Sequence, residues 1–309
     1  MRPLPTPVIV AAALAGLACA LGSSGCAETP VRPKLEDSAR RVAPLPSCIM
    51  YLPPKKNGKA FIRQLREDEY WKLLFPTFDA GKGELPQDAK DCTGRPLLAD
   101  WRFQGGAPLR GWPEKVVEGD IVFGAGGDRL KVVWLRSHKF DDGEFAGALS
   151  IVRTQENFVE AYGVGVLKGR PETMRLQLER MGSEVIVTAT DDGCTRAAPS
   201  TACETHVQVF IPRKGALSPI ADIPLERRAY AMGSEKGAVG RVEYRLTTAP
   251  EFKPGLIKLF EQVMVHDDRG RELRKAELLR SYALTDDGDL KASEGPLWPR
   301  IFDTSKTVK

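Results

Sequence analysis

Histidine is scarce in this chain: three in 309 residues, at positions 138, 206 and 266. None has a second histidine within the spacing that metal motifs use, so a histidine-built metal centre finds no support. The string Cys-x-x-Cys is missing, which removes the usual redox and zinc-claw signals. Absent too are the Gly-x-Ser-x-Gly elbow of serine hydrolases and the phosphate-binding loop of nucleotide hydrolases. The N-terminal apolar run, residues 8–21 (VIVAAALAGLACAL), falls short of the roughly 20 residues a bilayer-spanning helix needs. Charge of one sign is lacking as well. The 45 Lys and Arg are interspersed with 41 Asp and Glu, for a net +4, and no basic stripe suggests nucleic acid.

Several partial matches fail on context. "GSEKG" (233–237) has its serine directly after glycine and no strand–turn–helix setting. "GVGVLKG" (163–169) is one residue off the dinucleotide fingerprint and lies inside a strand-like run, where glycines mark a bulge or bend. In "RSHKFDD", Ser137 and His138 are neighbours on a strand and point to opposite faces, so they do not form a catalytic pair with Asp141 or Asp142. "TDDGDLK", with Asp286, Asp287 and Asp289, lacks the spaced carboxylates of a calcium loop and reads as a turn. Trp101, Trp112, Trp134 and Trp298 are aromatic candidates for a ligand cleft, although large aromatics in β proteins usually fill the core. The string "MGSE" recurs at 181–184 and 232–235 without aligned neighbours, so no duplication is inferred. No catalytic residue, cofactor or metal-ligating set is expected.

What the chain does have begins at its N-terminus. Arg2 precedes the apolar run, and small residues follow it, the pattern of a secretory signal peptide over residues 1–25. Those small residues end in Ser23-Ser24-Gly25-Cys26. This resembles the lipobox of bacterial lipoproteins, in which a cysteine is acylated and becomes the new N-terminus. The resemblance covers the export segment alone, and Ser23 stands where that class commonly has leucine. Cys19 is a weaker candidate, set too far inside the apolar run. The resemblance implies lipidation at Cys26, a membrane partner through the lipid anchor and, with Ala27 following, sorting to the outer membrane facing the periplasm or the cell surface. Residues 26–47 hold Pro30, Pro33, Pro44 and Pro46, mixed charges and few large apolar groups. Such a segment buries too little to offset its ordering entropy and is expected to act as a tether.

Four further cysteines are expected in the folded part: Cys48, Cys92, Cys194 and Cys203. An even number in an exported chain favours disulfides, with three connectivities open. Proximity favours Cys48–Cys92 with Cys194–Cys203. The second closes the short loop "TRAAPSTA" as a stapled hairpin, since eight intervening residues are too many for a zinc claw.

From about Gly119 onward, strand-length segments alternate with Asp-Gly turns. "LKVVWLRS", "FAGALSIVR", "FVEAYGVGVLK", "MRLQLERM", "EVIVTAT", "THVQVFIP", "GRVEYRLTT" and "LIKLFEQVMV" carry the pattern. The turns fall at Asp141-Asp142-Gly143, Asp191-Asp192-Gly193, Asp268-Arg269-Gly270 and Asp286-Asp287-Gly288. Nine or ten strands at short spacing, with no helical crossovers, predict a mainly β fold: an antiparallel meander forming a sandwich or open barrel over residues 119–309. Residues 271–284 (RELRKAELLRSYAL) suit a helix by composition and a strand by their flanking turns. Residues 48–118 differ. "KAFIRQLREDEYWKLLF" places its apolar residues on one helical face and ends at Pro76, predicting a small helix-containing subdomain or lead-in.

The expected role is a lipid-anchored envelope protein whose β-rich body serves binding, scaffolding or assembly, leaning away from an enzyme. Two alternatives remain open from the residues. One is a secreted hydrolase using paired carboxylates across a cleft, and the other is a carrier of hydrophobic ligands should the β body enclose a cavity.

Overall fold

The alternating runs fold as consecutive hairpins. The computed structural model describes residues 46–52, 65–83, 85–86, 89–96, 121–124, 130–141, 143–195, 197–198, 200–232 and 240–302. Among them are thirteen strands in one sheet system and two short helices. The protein is mainly β, as its turn spacing predicts. The strands are β1 (Cys48–Tyr51), β2 (Ile121–Gly124), β3 (Leu130–Lys139), β4 (Phe145–Thr154), β5 (Phe158–Gly169), β6 (Met174–Met181), β7 (Glu184–Asp192), β8 (Cys203–Arg213), β9 (Ala216–Met232), β10 (Arg241–Lys253), β11 (Leu256–His266), β12 (Glu272–Leu284) and β13 (Leu290–Ala292). The helices are α1 (Glu67–Leu74) and α2 (Trp298–Ile301).

Three antiparallel stretches make up the sheet: β2-β3-β4-β5, β6-β7-β8-β9 and β9-β10-β11-β12-β13. The first two face each other across a core of Trp134, Leu149, Ile151, Tyr162, Leu167, Val187 and Phe210. They meet along one side, where β5 and β9 form a single parallel bridge, Val164↔Ala216. The result is an open, sandwich-like sheet and not a closed barrel.

Glycine makes that junction possible. Gly163 has φ +87°, and a Cβ there would lie 2.8 Å from the Ala216 carbonyl oxygen. A Cβ on Gly165 would lie 2.1 Å from the Leu217 carbonyl oxygen. Side chains would hold the two strands apart, so "GVGVLKG" is a close approach as well as a bulge, with the register shifting between Ser150 and Val152 on β4.

The outer face of the first sheet is covered by the N-terminal region. β1 pairs with β5, from Cys48↔Ala161 to Tyr51↔Phe158. α1 buries Trp71, Leu74 and the following Phe75 in a cluster with Val133, Leu135, Ala148 and Val152. Three acidic residues in its first turn, Glu67, Asp68 and Glu69, suit the positive end of the helix dipole. The predicted apolar face thus becomes a helix two turns long; residues 53–64 lie outside the described residues, as does the expected boundary between 118 and 119. Polar contacts lock this region to the β5–β9 junction. Gly163 donates its N–H to Ser47 Oγ at 3.1 Å, and Arg95, held by buried Asp91 at 3.1 Å, donates to the Gly215 carbonyl.

β9 is a strand the sequence pattern hides. Seventeen residues long, it carries Pro219 and Pro224, which ordinarily count against a strand. Both sit at register shifts of the β8–β9 ladder, Phe210↔Pro219 and His206↔Pro224, where the missing N–H is tolerated. Of residues 271–284, all but Arg271 resolve as β12, because pairing with β11 outweighs their helix-forming composition.

Candidate functional site: the C-terminal sheet

Among the described residues, the β10-β11-β12 sheet is covered on one face only. Alternate residues Ile257, Leu259, Glu261, Val263 and Val265 of β11 point inward and are buried. One end of this row packs on β7–β9, through Ile186, Val209 and Ile211. The other end packs on Leu297 and Trp298 of the C-terminal segment.

Glu261 interrupts this apolar row. It is 1% exposed, and its partner Arg280 is 3% exposed. Arg280 Nε donates to Glu261 Oε1 at 2.7 Å, and the Leu297 N–H donates to Oε2 at 2.7 Å. Arg280 Nη1 also donates to the Tyr282 hydroxyl at 2.7 Å. Burial alone would lower the Arg280 pKa, but the bonds to Tyr282 and Glu261 outweigh it and hold the guanidinium above its ordinary value. Both carboxylate oxygens are engaged by the protein's own donors. The pair therefore positions the C-terminal segment and offers no free base to a substrate. No sequence motif pointed to it; the available signal was one glutamate in phase with the apolar residues of "LIKLFEQVMV".

The other face carries the exposed residues. Phe260 is 43% exposed, and Leu279, directly opposite it on β12, is 66% exposed. Ala249 of β10 extends the row across the sheet. Beside it lies a polar row in which Gln262 Nε2 donates to Glu277 at 2.9 Å and Lys275 Nζ pairs with Glu277 at 2.8 Å.

A second cluster of titratable groups lies on β8 and β9. Glu204 is clamped by Arg227, with Nη2 at 2.6 Å and Nε at 3.1 Å. Asp222 stays open to solvent, yet surrounding protein displaces enough water to push its carboxyl up; His206 opposes the shift, Glu204 adds to it and Arg227 opposes it. Arg227 thus engages both oxygens of Glu204 in this cluster.

The residues singled out by sequence distribute as follows. Cys48 lies against Cys92 and Cys194 against Cys203 at disulfide distance, with Cα separations of 5.8 and 5.0 Å. Cys26 and the rest of the export segment and tether lie outside the described residues, as do Trp101 and Trp112. Trp134 and Trp298 are buried core residues. His138 sits on β3 beside a register shift after Arg136, and His266 ends β11 opposite Glu272. Asp286 and Asp287 form the β12–β13 turn, closed by the Gly288 N–H donating to the Thr285 carbonyl at 2.9 Å. Among the described residues, no three His, Cys, Asp or Glu side chains gather as a metal site would require.

No family model, curated protein or solved structure matches this chain.

Proposed function

We propose that the protein is a lipid-anchored component of the bacterial cell envelope, held at the outer membrane through Cys26, with its β body serving binding or assembly. The observation that carries this reading is the pair of disulfide-distance cysteine couples, Cys48–Cys92 and Cys194–Cys203, in a chain whose export segment resembles that of lipoproteins. Crosslinks of this kind persist where thiols oxidise and are rare in the reducing cytosol. Mixed charge, clamped carboxylates and a one-sided sheet suit a protein that presents a surface better than one that turns over a substrate.

Intact mass of the purified chain, before and after reduction and alkylation, tests this directly. The expected result is cleavage before Cys26, added mass of acyl chains and four thiols released by reductant. Cys26→Ala should keep the two crosslinks and move the protein from the membrane to the soluble fraction. An unprocessed chain in the cytoplasm with four free core thiols would overturn the reading.

A further inference from the structure

The assembly reading leaves the partner open, and the edge of β12 identifies one while resting on that reading. Ser281 gives both backbone groups to the β13 side: its carbonyl accepts from the Ser293 N–H at 2.8 Å, and its N–H donates to Ser293 Oγ at 3.0 Å. The β11–β12 register is unbroken from Leu256↔Ala283 to Val265↔Arg274, so backbone direction alternates regularly along that stretch. Leu279, Glu277 and Lys275 therefore turn their N–H and C=O groups to the same outer edge as Ser281. Among the described residues, β13 covers β12 only at Tyr282, Ala283 and Leu284, and no strand pairs with the edge at 275–279. The register shift opposite Val265 and His266 closes off its far end.

We infer that this edge pairs antiparallel with the same edge of a second copy, about a two-fold axis at Ala276. Backbone direction supplies the first constraint. Outward-facing groups of one copy must meet outward-facing groups of the other, so odd-numbered residues oppose odd-numbered ones and the axis passes through a residue. Charge supplies the second. An axis at Lys275 sets that ammonium against itself, and an axis at Glu277 does the same to the carboxylate. An axis at Ala276 sets Lys275 opposite Glu277 of the partner subunit on the outer face, twice by symmetry, while the small Ala276 meets its own copy on the inner face. Each Lys275 keeps its contact with Glu277 of its own chain at 2.8 Å, so the four charges alternate around a square. Opposite charges placed directly across an antiparallel pair stabilise it, and like charges destabilise it. Because each copy uses up its own free edge, the contact closes as a dimer and does not propagate. The pairing also removes an open strand edge of the kind that otherwise promotes aggregation.

Site-directed crosslinking on the purified full chain in detergent tests the register. At an axis residue that is not hydrogen-bonded across the pair, the two Cα atoms lie about 4.5 Å apart, within disulfide range. Mild oxidation of Ala276→Cys should yield a covalent dimer on a non-reducing gel. Ala283→Cys, exposed but already paired to β13, should not. The unsubstituted chain is the control, since any free Cys26 would reveal itself there. Sedimentation of the unsubstituted chain should show a dimer. Lys275→Glu and Glu277→Lys should each raise its dissociation constant by about tenfold or more, and mixing the two variants should restore dimers because opposite charges then face each other again. A monomeric unsubstituted chain, equal crosslinking at 276 and 283, or two variants that fail to recombine would overturn the inference. Dimers without acyl mass would leave the pairing standing and remove the anchor; acylated monomers would do the reverse.

Discussion

The β3–β4 sheet and the β10–β11 sheet are built from segments of similar length and finished in opposite ways. β4 is buried at seven consecutive positions, Ala146 to Val152, because α1 and its neighbours cover one face and β7–β8 cover the other. β11 is buried at every second position, because among the described residues β7–β9 and the C-terminal segment cover one face alone. The sequence carries this difference openly: "FAGALSIVR" is nearly continuous in apolar or small residues, whereas "LIKLFEQVMV" alternates. Two-sided coverage spends apolar residues on stability, and one-sided coverage leaves a face and an edge for other contacts. The price of the second arrangement is a thinner core, and the buried Glu261–Arg280 pair sits at its centre.

Breaking that pair should therefore produce the largest effect. Glu261→Gln leaves a buried guanidinium without its counter-charge, which costs about 3–5 kcal/mol. Urea midpoints should fall accordingly, and the Leu297 amide, which donates to Glu261, should exchange faster with solvent. Glu261→Leu combined with Arg280→Leu removes both charges and should recover most of the loss. The Leu297 N–H stays unsatisfied in that variant, for a residual cost of about 1–3 kcal/mol. If the single and double variants were equally destabilised, the pair would not be the organising contact of this sheet.

The two cysteine couples sharpen the contrast from the other side. Chain-entropy arithmetic gives the Cys48–Cys92 crosslink about 4 kcal/mol and Cys194–Cys203 about 2.5 kcal/mol. They also differ in what they hold. Cys48 belongs to the core that covers Val133, Leu135, Ala148 and Val152, while Cys194–Cys203 closes a loop between β7 and β8. Replacing Cys48 and Cys92 by serine should lower stability more and raise the binding of an apolar dye, as the outer face of β3–β5 loses its cover. Replacing Cys194 and Cys203 should lower stability alone.

The sequence made the hairpins legible where local chemistry decides them. The turns at Asp268-Arg269-Gly270 and Asp286-Asp287-Gly288 fall between β11 and β12 and between β12 and β13, and the β10 and β11 alternation maps directly onto burial. It hid what long-range pairing decides. The prolines of β9 look like strand breakers until β8 supplies bulges at their positions. Lys, Arg, Glu and Leu in β12 favour a helix until β11 pairs with them. Short β1, β2 and β13 have too few residues to show a period. The parallel β5–β9 bridge joins residues 52 positions apart, and nothing local at Gly163 names Ala216 as its neighbour. Glu261 and Arg280 are 19 residues apart, and only the in-phase glutamate hinted at a buried charge.

The smallest effect tests whether the β7–β8 loop is held by its crosslink alone. Asp192 Oδ1 accepts from the Thr195 N–H and from Thr205 Oγ1, each at 3.0 Å, at the start of the loop that Cys194–Cys203 closes. The Thr195 hydroxyl contributes most to holding the Asp192 carboxyl below its ordinary value; burial opposes it, and the Thr195 N–H, Thr205 and Arg175 add to the lowering. A carboxyl whose pKa is depressed in the fold contributes stability that is present above its unfolded pKa of 3.8 and is lost as pH falls through the lower folded value. Asp192→Asn should therefore cost about 1 kcal/mol or less at neutral pH, and the gap to the unsubstituted chain should close as pH drops below about 4. Measured in the Cys194→Ser/Cys203→Ser background, the same substitution should cost more if crosslink and carboxylate share the work of closing the loop. An unchanged cost would mean that the two act on separate parts of it.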